Sequence, residues 1–180
     1  MLKTGDEEAV SIRAVADAVG VTPPSIYLHF ADKEELLVAV CEEQFRRFGD
    51  FVEQAVSASN DPVERLMLRG QAYVRFGIEH PEHYRILFMS RTGTARAADE
   101  RARSVSGFDR LVQNVQACID VGAIDAGALG EPDARLTATG LWVMVHGVTS
   151  LVISVPGFPD VGMDRLMAHL GAMCIRGLGG

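Results

Sequence analysis

Apolar residues recur at steps of three and four through nearly the whole chain, and this rhythm limits the fold more than any other feature. Leu37, Cys41, Phe45, Phe48 and Val52 form one such stripe. Val63, Leu66, Met67, Gly70, Tyr73 and Val74 form a second, and Phe108, Leu111, Val112, Val115 and Ile119 a third. Met163, Leu166, Met167, Leu170 and Cys174 form a fourth. These steps gather apolar side chains on one face of a helix, whereas a strand needs alternation at every second residue. No convincing run of that alternation occurs, so the expected fold class is all-α.

Punctuation between the stripes agrees. Asp61-Pro62 opens a helix with a cap and a proline whose missing N–H costs nothing there. His80-Pro81 breaks that helix and starts a short one over 82–89. RTGTAR at 91–96, GALGEPD at 127–133 and VPGFPD at 155–160 read as loops, with Pro132 suited to a first helical turn. The helix over 134–154 is apolar nearly all round and is expected to be buried on more than one side. Gly140 and Gly147, seven apart on one face, are expected to admit a close neighbour. A last helix runs from Asp164 to about Gly177.

Composition narrows the function classes. With 180 residues, 48% apolar and 23% charged, the chain can form one or two small domains with a proper core. A net charge of -7 argues against nonspecific coating of nucleic acid but leaves room for a small DNA-reading surface. No eighteen-residue uninterrupted apolar window occurs, so no membrane partner is expected. MLKTGDEEAV lacks the apolar core of a signal peptide, and a cytoplasmic location follows as an expectation. Cys41, Cys118 and Cys174 are odd in number and far apart, each in an apolar helical context, which reads as free buried thiols. There is no Gly-x-Ser-x-Gly, no phosphate-cradling glycine loop, no paired carboxylates on an apolar face and no zinc spacing. His80 and His83 have no third partner for a metal. Hence no catalytic residues, cofactor or metal site are expected.

The first forty residues stand apart. Ser11 can cap a helix over 12–19, with Ile12, Val15 and Ala16 inward and Gly20 as its left-handed end. Thr22 is a second cap, followed by Pro23 and Pro24 in a first turn that wastes no hydrogen bond. Asp32 is a third, and Glu35 completes a capping box. Two short helices around a glycine turn form a helix-turn-helix, whose second helix, from Pro23 to about Phe30, would lie in a major groove. Its prolines present a rigid apolar edge suited to thymine methyls, and Ser25 alone in the first turn can hydrogen-bond a base. Ile26 and Phe30 should face the small core. Tyr27, His29 and Lys33 can reach phosphates, and Ser11 and Thr22 add hydroxyls and helix-terminal N–H groups. Read singly, Tyr27 fits a half-buried core tyrosine equally well, His29 a surface residue and the prolines mere helix starters. From Val10 to Glu34, Arg13 and Lys33 face Asp17, Asp32 and Glu34, a local net of -1 where a nucleic-acid domain is usually basic.

The run AVSIRAVADAVGVTPPSIYLHFADKEEL closely resembles the helix-turn-helix of the TetR family of bacterial transcriptional repressors. The match lies in Ser11-Ile12-Arg13, Ala16, Val19-Gly20-Val21, Ser25-Ile26-Tyr27, His29-Phe30 and Lys33. HPEHYRILF and LWVMVHGV, with Trp142, His146 and Gly147, are similar to one subgroup's C-terminal region. The resemblance implies an Ω-shaped homodimer on palindromic double-stranded operator DNA, with a DNA-binding domain over 1–50 and a ligand-binding and dimerisation domain over 51–180. By position it puts base contacts at Pro24, Ser25 and Leu28, with Pro23 nearby. It puts phosphate contacts at Ser11, Thr22, Tyr27, His29 and Lys33. Family members carry a full helix before the position of Ser11, for which ten residues are too few. Without it, Ile12, Val15, Ile26 and Phe30 lose packing partners, and weak DNA binding is expected.

In the larger domain, Tyr73, Phe76, Tyr84, Phe88, Met89, Phe108, Trp142, Met144 and His146 are the candidates for a ligand cavity. Such residues at helical spacing also build ordinary cores, and His146 reads as a polar anchor or as a satisfied core histidine. Their few polar groups suit a largely apolar ligand with one or two hydrogen-bonding handles. The last two helices can pair with their symmetry mates in an isologous four-helix interface, or complete a monomer core. The leading expectation is a repressor released by a small inducer that tilts the helix from Asp32 to about Val56. Successive major-groove faces lie about 34 Å apart, so a small tilt would break simultaneous docking. A dimeric small-molecule-binding protein without DNA binding stands as the alternative, and an enzyme behind it.

Overall fold

A computed structural model describes residues 11–88, 107–124 and 133–178, which hold eight helices and no strand. They are α1 (Ile12–Val19), α2 (Pro23–Tyr27), α3 (Lys33–Val56), α4 (Pro62–Glu79), α5 (Pro81–Phe88), α6 (Gly107–Asp120), α7 (Ala134–Ser154) and α8 (Met163–Leu178). The RTGTAR loop, most of GALGEPD with Pro132, Met89 and the residues before Ser11 lie outside the described residues. Described residues 11–47 and 82–88 form one compact unit, and the remainder a second.

In the first unit, Ser11 Oγ accepts from the Ala14 N–H at 3.1 Å and starts α1. Gly20, at φ 73°, ends it, and the Val21 N–H returns to the Ala16 carbonyl at 3.0 Å in a Schellman closure. Ile12, Ala16 and Ile26 are the buried core, joined by Val15, Phe30 and Leu36. Helix α2 is shorter than expected, stopping at Tyr27 instead of reaching Phe30. The His29 and Phe30 N–H groups both converge on the Ile26 carbonyl at 3.0 Å, and that shared acceptor turns the chain. Thr22 makes no side-chain cap either: its hydroxyl pairs with the Ser25 hydroxyl at 2.9 Å, while the Ser25 N–H takes the Thr22 carbonyl. Asp32 does cap α3, accepting from the Glu35 N–H at 2.9 Å. Glu35 Oε2 reaches back one residue further than a capping box, to the Ala31 N–H.

In the second unit, α4, α6 and α7 pack against one another. Asp61 caps α4 through the Glu64 N–H at 2.8 Å, and Asp133 caps α7 through the Leu136 N–H at 2.9 Å. Val115, Ala134 and Ala138 bury the α4–α6–α7 seam with Leu66, Leu111 and Leu141. Val74, Val148 and Met167 bury the α4–α7–α8 seam with Val145, Leu166 and Leu170. Each fully buried aliphatic side chain, such as Val74 or Val115, contributes about 1.5–3 kcal/mol, against about 1 kcal/mol for a cap. The seams therefore set the fold, and the caps set where its helices begin.

Two expectations about α7 change. Among the described residues it is packed on one side only: Ala134, Ala138, Val148 and Thr149 are buried, whereas Leu136, Val143 and Leu151 are exposed. Gly140 and Gly147 lie on that open side with no neighbouring atom near a hypothetical Cβ. Close approach occurs instead at Gly171 of α8, where a Cβ would run into the Met67 side chain of α4. By length and composition α7 is also apolar enough to cross a bilayer.

Candidate nucleic-acid interface and effector site

The helix-turn-helix presents Ser11, Thr22, Pro24, Tyr27, Leu28 and His29 to solvent, with Pro23, Ser25 and Lys33 partly buried. Ser11 Oγ accepts from the Ala14 N–H, which leaves its own proton for an outside acceptor. The Thr22–Ser25 pair shares one hydroxyl proton and leaves the other, so the two act as a single donor. Free N–H groups do not accompany it: Pro23 and Pro24 have none, and that of Ser25 is used on Thr22. The phosphate cradle expected at this terminus thus reduces to a hydroxyl. Leu28, 83% exposed, is an apolar side chain at the tip of the motif, and Val19 and Val21 stand exposed beside Gly20. In the sequence the two valines stood only among the residues that carry the resemblance and not as contacts, because Val19 ends α1 and Val21 follows its glycine cap, where periodicity says nothing of exposure. On α3, Arg46 and Arg47 both bond Glu43, at 2.8 and 2.6 Å, and hold its carboxyl down at about 2, with the Arg46 hydrogen bond the larger cause. Both guanidiniums are thereby engaged along the helix.

In the second unit, Tyr73, Phe76, Phe108, Trp142 and His146 come together in one array. The Tyr73 hydroxyl lies 3.1 Å from His146 Nδ1. Trp142 tilts over the His146 ring at 5.5 Å, and Phe108 meets Trp142 edge-on at 6.2 Å. Phe48 of α3 meets both Tyr73, at 5.2 Å, and Phe76, at 5.0 Å. Phe51 and His80 extend the array beyond Phe76; none of these three was a sequence candidate, although Phe48 stood in the first apolar stripe. Burial pushes the His146 pKa below its ordinary value, so the ring is neutral at pH 7 and offers a hydrogen bond without charge. Met144 instead sets its sulfur 3.5 Å from the Cys174 thiol of α8. Tyr84 and Phe88 belong to the first unit, where Tyr84 is fully buried, the two rings lie 4.8 Å apart and Phe88 meets Phe45.

The Cys118 and Cys174 thiols are poor nucleophiles. Burial first, and Asp61 second, push Cys118 up to about 11, and burial raises Cys174. Among the described residues no three His, Cys, Asp or Glu side chains gather as metal ligands.

An exposed helix-turn-helix and a separate helical unit built around an apolar array are the two parts that a DNA-binding regulator with an effector domain needs. The model of the Tetracyclin repressor-like C-terminal domain matches residues 66–171, and that of the tetR family of bacterial regulatory proteins matches residues 4–40. The chain belongs to the TetR family of bacterial regulatory proteins. It is 35% identical over 81 residues to the HTH-type transcriptional activator FasR of Mycolicibacterium smegmatis, covering 44% of this chain and 36% of FasR. It is 29% identical over 147 residues to the HTH-type transcriptional regulator YobS of Bacillus subtilis, covering 79% of this chain and 68% of YobS. The chain thus spans about a third of FasR's length. The fold is similar to that of FadR from Bacillus subtilis, solved in complex with stearoyl-CoA, with a TM-score of 0.74 and 18% identity over 98% of this chain and 93% of that one.

Proposed function

We propose that this regulator is a cytoplasmic homodimeric repressor, released from a palindromic operator by a largely apolar effector. Residues 1–50 read DNA, and residues 51–180 bind the effector and dimerise. The observation that carries this reading is the Tyr73–His146 pair set among Phe48, Phe76, Trp142 and Phe108. It is an apolar cluster with one uncharged polar couple, the chemistry that would suit a ligand with a long apolar part and one hydrogen-bonding handle. The acyl chain and thioester carbonyl of a ligand such as the stearoyl-CoA bound by FadR have that character at one end of the molecule. Phe48 lies on the continuous helix α3, so an occupant that displaces Tyr73 acts directly on α3.

At the operator, Pro24, Ser25 and Leu28 face bases, with Pro23 beside them. Ser11, Thr22, Tyr27, His29 and Lys33 hold phosphates. Fluorescence anisotropy on the promoter of the chain's own gene tests this. Tyr27→Phe, which removes an exposed hydroxyl, should weaken binding by about tenfold, the equivalent of one charge-assisted hydrogen bond. Equal affinity for promoter and scrambled DNA would overturn the reading. FasR's description as an activator favours a second sign of regulation; in vitro transcription with and without effector separates the two.

A further inference from the structure

Thr22 and Ser25, assigned above to a phosphate and a base, are not independent of each other. Their hydroxyl oxygens lie 2.9 Å apart, so one hydroxyl donates to the other and a single proton is left to face outward. No backbone N–H of the first turn feeds either oxygen. Pro23 and Pro24 have none, the Ser25 N–H goes to the Thr22 carbonyl at 2.9 Å, and Thr22 makes no side-chain cap. The helix terminus thus contributes nothing to the polarity of the pair, which its own two protons set. Thr22 is exposed and Ser25 partly buried, so both can be reached from outside.

Only two arrangements exist. If Thr22 donates to Ser25, Ser25 keeps its proton for the outside and Thr22 offers lone pairs alone. If Ser25 donates to Thr22, the roles reverse. A phosphodiester oxygen accepts and never donates, so a phosphate against Thr22 selects the second arrangement. In the first, lone pairs would face lone pairs and both acceptors would go unmet. Thr22 then gives the free proton to the phosphate, and Ser25 meets the base with lone pairs only. A serine by itself can read either kind of base edge. We propose that the Thr22 hydroxyl fixes Ser25 as a hydrogen-bond acceptor, so that the recognition helix selects an exocyclic amino group, adenine N6 or cytosine N4, over the carbonyls of guanine and thymine. This rests on the DNA-reading role proposed above, with Thr22 at a phosphate and Ser25 at a base. Thr22 is thereby a positioning residue for specificity at a base that it does not touch.

Selection of sites from a randomised duplex library by the full chain, followed by fluorescence anisotropy on the selected site, provides the test. Ser25→Ala marks the base that Ser25 reads, as the position whose preference flattens. Exchanging the amino group there for a carbonyl, adenine to guanine or cytosine to thymine, should weaken binding by the native chain about fivefold or more. Thr22→Val, isosteric at an exposed position, should bind every sequence more weakly. Yet the same exchange should cost that variant less than about twofold, because the released Ser25 hydroxyl can turn and donate. Thr22→Ser should restore the discrimination. A Thr22 that only holds a phosphate gives the opposite result, a Thr22→Val that weakens all sequences alike and keeps the preference, and this overturns the proposal. So does a native preference for a carbonyl at the marked base, or a Ser25→Ala with unchanged preference at every position. Absence of base preference anywhere in the selected pool overturns the DNA-reading role and the proposal with it.

Discussion

His146 shows how much one side chain's meaning depends on its surroundings. In the sequence it is a histidine beside a glycine, as easily a ligand anchor as a core residue. In the fold its ring lies against Trp142 and the Tyr73 hydroxyl, and burial lowers its pKa below the ordinary value of about 6.5. The unfolded chain then holds the proton more tightly than the folded one. Stability from this residue is complete above about pH 6.5 and is lost as pH falls from there through the folded pKa. Thermal melts followed by circular dichroism should show Tm declining faster between pH 7 and 5.5 in the native chain than in His146→Gln, which cannot titrate. Parallel declines would show that the ring is not the source.

Helix beginnings were the most legible elements, because a cap is a local event between residues three apart. Ser11, Asp32 and Asp61 each accept the N–H three positions on, as their sequence context implied. Asp61→Ala should lower stability by about 1 kcal/mol in urea unfolding without changing the m-value; a change under about 0.3 kcal/mol would mean that Pro62 alone starts α4. Helix ends and close approaches were less legible. Thr22 has the right chemistry for a cap, but its hydroxyl pairs with that of Ser25, and the one N–H that two prolines leave nearby, that of Ser25, takes the Thr22 carbonyl instead. Gly140 and Gly147 were the natural candidates for a tight crossing, yet the crowded glycine is Gly171. A glycine's spacing says that a neighbour can approach; it does not say which helix does.

Across the molecule, the open side of α7 is the feature that a single chain leaves unresolved. Leu136, Gly140, Val143, Gly147 and Leu151 form a stripe stepping by four, three, four and four, a smooth apolar face with two positions where another helix can come near. In the homodimer proposed above, that face meets its symmetry mate. Val143→Glu, at a side chain 59% exposed in the chain, should keep helical content and convert the protein to monomer in sedimentation velocity. Operator affinity should fall with it, since two half-sites can no longer be held together. A Val143→Glu protein that remains dimeric would move the interface elsewhere.

By itself the sequence determined the fold class, the positions of the helices and the family, because periodicity, caps and the helix-turn-helix motif are written within a few dozen consecutive residues. Tertiary structure alone decided which side chains meet. Tyr73 finds His146 across 73 positions, Met144 turns to Cys174 instead of joining the array, and Arg69, Glu53 and Asn114 converge from three helices on one cleft. A helical period specifies the face a residue occupies. The residue opposite depends on how the helices stack, and that is set by burial summed over the whole unit.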